Sequence, residues 1–155
     1  MIVKGSFEVT MNAEPPYDAV DGVTLARARI DKRFTGPLDA TAEVQMIGAR
    51  TPIAGSAGYV AIERITGTLA GKRGTFVCQH NGVMTRGAPF LTVTVVPDSG
   101  TGDLKGLSGH MDIQIVEGKH FYELDFELGA PESPEESPGD SPGDSPGDSP
   151  EESAR

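Results

Sequence analysis

From residue 1 to 128, short runs of β-branched and aromatic residues recur with polar residues interleaved, and glycine or proline closes each run. No window of helical length keeps an apolar residue at every third or fourth position, so the dominant period is two and the chain is all-β. Strands are predicted over 2–11, 24–34, 41–47, 58–69, 74–81, 90–96, 110–116 and 120–128. Eight strands in so short a stretch point to a small antiparallel barrel, because closure removes the edges that an open sheet would expose. The longest early connection, 12–22 with Pro15-Pro16, is expected to cross one end of it.

The residues after 128 change character. Residues 129–155 hold 6 of the 12 prolines and no aromatic residue, and repeat Ser-Pro-Gly-Asp three times. Such a segment has nothing to bury and cannot offset the entropy of ordering, so a disordered acidic tail is expected behind a barrel domain over 1–128. The net charge of -10 is mostly the tail's: without its 8 acids and one base, 15 acids face 12 bases. A weakly acidic body offers no footprint for a phosphate backbone, and nucleic acid is not an expected partner. The single Cys78 can form no internal disulfide, and no basic-then-apolar leader or long apolar run is present. A cytoplasmic protein held by its core, without a membrane span, is the expectation.

Two turns set the register. In Ala70-Gly71-Lys72-Arg73 and Glu117-Gly118-Lys119-His120, a glycine leading a two-residue loop suits a type II′ hairpin. Counting outward, Glu63 is expected opposite His80, Ile65 opposite Cys78, Ile115 opposite Tyr122 and Ile113 opposite Leu124. A bulge would shift either register by one residue.

The first hairpin then has an apolar face of Tyr59, Ala61, Glu63, Ile65, Leu69, Phe76, Cys78 and His80, which is turned inward. Glu63 and His80 become neighbours on it, with Cβ atoms about 5 Å apart. Burial pushes a carboxyl up and an imidazole down while their attraction opposes both, a coupling suited to proton transfer near neutral pH. The plainer reading is that the two only satisfy each other's hydrogen bonds, or that the face is inverted and both meet water. Tyr59, Tyr122 and Lys32 are candidates to hold a substrate oxygen, with Lys32 reaching a rim over its buried stem. Phe76, Cys78 and Ile115 would line the walls. Ala26, Ala28, Ala42, Ala61, Gly67 and Gly82 on inward positions would leave room for a small apolar or amphipathic molecule.

Other chemistry is not signalled. Three scattered histidines and one cysteine give no zinc spacing, and His110-Met111-Asp112 with Asp125 and Glu127 opposite reads as a solvated acidic face. Nucleotide-loop and nucleophile-elbow spacings are missing, so neither metal nor cofactor is expected.

The most distinctive stretch, Gly100-Thr101-Gly102-x-Leu104-x-Gly106-Leu107-x-Gly109, resembles a motif of allene oxide cyclase and dirigent barrels. Taken with Tyr59–Leu69 and Gly74-Thr75-Phe76-Val77-Cys78-Gln79-His80-Asn81-Gly82, the chain resembles an uncharacterised bacterial family with that barrel. The resemblance spans 1–128 and implies an eight-stranded calycin-like barrel. It implies no single activity, since relatives include cofactor-free cyclases and proteins that only steer stereochemistry. Leu104 stands where the plant barrels favour Phe, and the acidic tail has no counterpart. Three functions follow from these residues: a cofactor-independent isomerase or cyclase with Glu63 and His80 exchanging the proton, a barrel that binds a small molecule without chemistry, or a solidly packed structural protein. The oligomeric state, including a homo-oligomer, is left open by the residues alone.

Overall fold

The computed structural model describes residues 1–129, and the tail expectation lies outside them from 130 onward. Among the described residues nine strands are formed: β1 Ile2–Ala13, β2 Asp18–Val20, β3 Val23–Thr35, β4 Leu38–Arg50, β5 Ala57–Leu69, β6 Lys72–Thr85, β7 Ala88–Val95, β8 Leu107–Val116 and β9 Lys119–Leu128, with a 3-10 turn at Gly102–Leu104. Eight of them close an antiparallel barrel in the order β1-β9-β8-β7-β6-β5-β4-β3, and β1 returns to β3 with Phe7 opposite Phe34. The ninth, β2, lies in the connection expected to cross a barrel end. It pairs back on β3 instead, Asp18 opposite Leu25, where Arg27 stacks on the Tyr17 ring at 4.6 Å. Among the described residues no helix is long and apolar enough to cross a membrane.

The hairpin turns differ from expectation in type. The loop between β5 and β6 is Ala70-Gly71, with φ of 50° and 83°, and that between β8 and β9 is Glu117-Gly118, with φ of 51° and 79°. Two consecutive residues with positive φ make the type I′ geometry, whose twist matches the strands, so glycine occupies the second loop position and not the first. Both registers therefore move by two residues. Glu63 stands opposite Cys78 and His80 opposite Ala61, while Tyr122 faces Ile113 and Ile115 faces His120. A slip of two keeps every side chain on its face, whereas a slip of one would have exchanged them.

The interior is packed unevenly. Phe7, Phe34, Leu38, Ile65, Leu69, Phe76, Leu104, Leu107, Tyr122, Leu124 and Phe126 fill one half of the barrel. The strand-breaking loop after β7 seals that end by continuing along β6: the Thr101 N–H donates to the Thr75 carbonyl, the Thr75 N–H donates to the Thr101 hydroxyl, and the Ser99 hydroxyl accepts from the Val77 N–H at 3.0 Å. Gly74 and Gly100 are small for this reason, since a Cβ on either would strike a carbonyl oxygen, of Thr101 and Leu104 respectively. The glycine-threonine motif is thus a backbone packing device. Toward the other end, alternation from buried Phe7 and Val93 places Val9, Met11 and Leu91 on the inner face, yet they are 37%, 54% and 36% exposed. That end is therefore the less covered of the two among the described residues.

Candidate functional site

Three polar side chains are buried where the packed half meets the open mouth: Lys32 from β3, Glu63 from β5 and His80 from β6. Glu63 is wholly buried, with His80 Nε2 at 2.6 Å from its Oε1. Lys32 Nζ stands 3.3 Å from Oε1 and 3.2 Å from Oε2, reaching across the small Ala42 that separates it from Ile65 beside Glu63. Its ammonium lies over two aromatic rings, Nζ being 4.9 Å from the Phe7 centroid and 5.7 Å from that of Phe34. Oε2 has this ion contact but no aligned hydrogen bond among the described residues.

Burial alone would raise the Glu63 carboxyl, but the His80 hydrogen bond and the Lys32 charge outweigh it and hold the group below its ordinary value. The carboxylate is therefore an acceptor only, and His80 Nε2 must carry the hydrogen that lies between them. Nδ1 is left as the imidazole's acceptor, and it makes no hydrogen bond to a described residue. The arrangement orients the imidazole as a carboxylate does in a catalytic triad, with the difference that Lys32 neutralises the carboxylate from its far side.

Tyr59 completes the group. Its ring centroid is 6.3 Å from that of His80, and it is laid across Gly82, where a Cβ would strike the ring. Its other cross-strand neighbour is Gly48, so a large ring sits between two residues without side chains. Burial and the Glu63 charge raise the phenol above its ordinary value, which keeps it a hydrogen-bond donor at neutral pH.

The remaining expected residues lie elsewhere or act otherwise. Cys78 is the cross-strand partner of Glu63 but belongs to the packed half, and burial pushes its thiol up, away from nucleophilic reactivity. Phe76 is deeper in that half. Tyr122 is committed to structure: its hydroxyl accepts from the Leu38 N–H at 3.0 Å and donates to the Thr35 carbonyl at 3.2 Å, latching the β3–β4 turn to β9. Ile115 is 65% exposed near the tip of the last hairpin, too far along its strand to share the interior. Lys32 sits on no rim; the sequence carried a signal of its true place, a lysine in phase with Ala28 and Phe34 one strand beyond Ala42. Among the described residues no three His, Cys, Asp or Glu side chains gather as a metal set.

Fold and site together define a closed antiparallel barrel, packed at one end, with a neutralised carboxylate–imidazole group beneath the other. The chain belongs to DUF3224, a family of proteins of unknown function, which residues 3–126 match. A crystal structure of a protein of unknown function from that family, from Shewanella oneidensis MR-1, is similar at 46% sequence identity and a TM-score of 0.80, covering 84% of this chain and 98% of that one. No curated protein matches the chain.

Proposed function

We propose that this barrel is a cofactor-independent isomerase or cyclase that moves a proton on a small apolar or amphipathic molecule, with His80 as the proton carrier. The observation that carries this is the 2.6 Å contact between a wholly buried Glu63 and His80 Nε2, which leaves Nδ1 as an acceptor. A base fixed in one tautomer, with its imidazolium stabilised by a buried anion, contributes about 10²–10⁴-fold to a proton transfer. Lys32 keeps Glu63 ionised throughout, so the carboxylate orients and stabilises while His80 alone gains and loses the proton. The motif likeness to allene oxide cyclase and dirigent barrels supports this through fold only. A buried, unreactive thiol at Cys78 is suited to the cytoplasm, where we place the protein.

The test begins with protein purified from its own host and native mass spectrometry for a retained small molecule. That molecule, returned to the protein in D2O, should take up deuterium at carbon, and His80→Gln should abolish the uptake. Retention without uptake would instead favour a binding barrel, and His80→Gln would then leave turnover nothing to lose.

A further inference from the structure

The charges in the barrel interior are already matched. Among the described residues the buried polar side chains are Lys32, Glu63 and His80, one ammonium against one carboxylate at 3.2 Å. A ligand carboxylate or phosphate entering beside them would approach Glu63 while the nearby cation is engaged. A ligand ammonium would have to displace Lys32. In the first case the ligand's charge leaves water without a partner, and in the second Lys32 is left buried without one.

Two uncharged groups are free. His80 Nδ1 is an acceptor without a described partner, and the Tyr59 hydroxyl makes no hydrogen bond to a described residue. Their rings are 6.3 Å apart, and the inner positions in the row of His80, Ala28, Met46, Ala61 and Val93, are uncharged. An imidazole acceptor and a phenol donor set among these uncharged side chains match a carbonyl group whose neighbouring carbon bears a hydrogen: the oxygen accepts from the phenol while the carbon gives its proton to the imidazole.

We infer that the substrate class is an uncharged ketone or ester with a hydrogen on the carbon next to the carbonyl, and that the Tyr59 hydroxyl receives the carbonyl oxygen. This rests on His80 acting as the base. In the step, the C–H bond breaks, its proton goes to Nδ1, and its electron pair forms the enolate whose oxygen is held by Tyr59. The imidazolium then returns the proton to the same carbon, or in a β,γ-unsaturated ketone to the γ carbon, giving the conjugated isomer. Atoms and electrons balance without any other reactant.

The full-length protein is tested in D2O with 2-decanone, cyclohex-3-enone, decanoate and decylamine as probes, binding being read by saturation-transfer NMR and deuterium uptake by proton NMR. The two ketones should bind and exchange at least about 10²-fold faster than in buffer, and the charged probes should not bind. Tyr59→Phe, which removes no bond to a described residue, should weaken ketone binding and lower exchange at saturating ketone about 10²-fold. Decanoate or decylamine binding as well as 2-decanone overturns the uncharged class, whatever the exchange shows. Wild-type exchange in Tyr59→Phe overturns the role of Tyr59, and failure of all four probes to bind overturns the whole inference. Selective ketone binding with no exchange upholds the class and removes the proton transfer at His80.

Discussion

Glu63 is wholly buried and would be a liability in an apolar barrel without its two partners. Because its carboxyl is held below the ordinary 4.5, the folded chain keeps the anion at a pH where the unfolded chain has begun to protonate it. The stability this supplies is full above the unfolded value and is lost as pH falls through the lower folded one. Denaturant midpoints measured between pH 6 and pH 2 should therefore fall more steeply for the wild type than for Glu63→Gln; equal slopes would show that Glu63 does not carry the acid limb. Lys32→Met should be the more damaging change, by about 3–5 kcal/mol, since it strands a buried anion. Lys32→Met combined with Glu63→Leu removes both charges and should restore most of that loss, a result equilibrium unfolding reads directly. If the single variant is as stable as wild type, Lys32 is not the counter-charge. Sequence alone placed Glu63 and His80 on one face, because side-chain alternation survives a two-residue slip. It placed Lys32 with the inward residues of its strand but not beside Glu63, a partner two strands away across an alanine and invisible to hairpin counting.

At the scale of elements, the turns explain both what was legible and what was not. A glycine in the loop announced each hairpin, but its position within the loop depends on whether a non-glycine neighbour accepts positive φ, and Ala70 and Glu117 both do. An alanine in that region is strained by about 1–2 kcal/mol, whereas asparagine tolerates it. Ala70→Asn should raise stability by about 0.5–1 kcal/mol without altering the strands, which thermal unfolding and an unchanged far-ultraviolet spectrum would establish; a loss of stability would speak against the type I′ turn. The latch at Tyr122 belongs to the same scale. Tyr122→Phe leaves the buried Leu38 N–H without its acceptor and should cost about 1–3 kcal/mol in equilibrium unfolding. An unaffected variant would mean that water replaces the hydroxyl. From sequence, a tyrosine on an inner face reads equally as latch or ligand holder, because the deciding acceptor and donor lie on a turn more than eighty residues away.

For the molecule as a whole, closure is complete in topology but thin at one place. Neighbours along the wall share long ladders, eleven paired positions between β3 and β4 and thirteen between β5 and β6, while β7 and β8 share one, Thr94 opposite His110. The first half of β7 and the second half of β8 therefore diverge, and both leave apolar side chains in the open: Phe90 is 60% exposed and Val116 51%. Pro89 fits this edge, since a residue without an N–H is tolerated where no ladder needs the donor. The mouth that exposes Val9, Met11 and Leu91 includes Leu91 on β7, so the uncovered end and the thin seam share a strand. Local opening free energy follows the number of backbone bonds that must break together, so this seam is where the barrel should open first. Native-state hydrogen exchange should find the Leu91 amide exchanging far faster than those of Glu63 and Ile65 in β5, which have a paired strand on each side. Protection at Leu91 equal to that of β5 would mean that the wall is continuous, and that the molecule we propose at His80 would have only the barrel mouth to enter by.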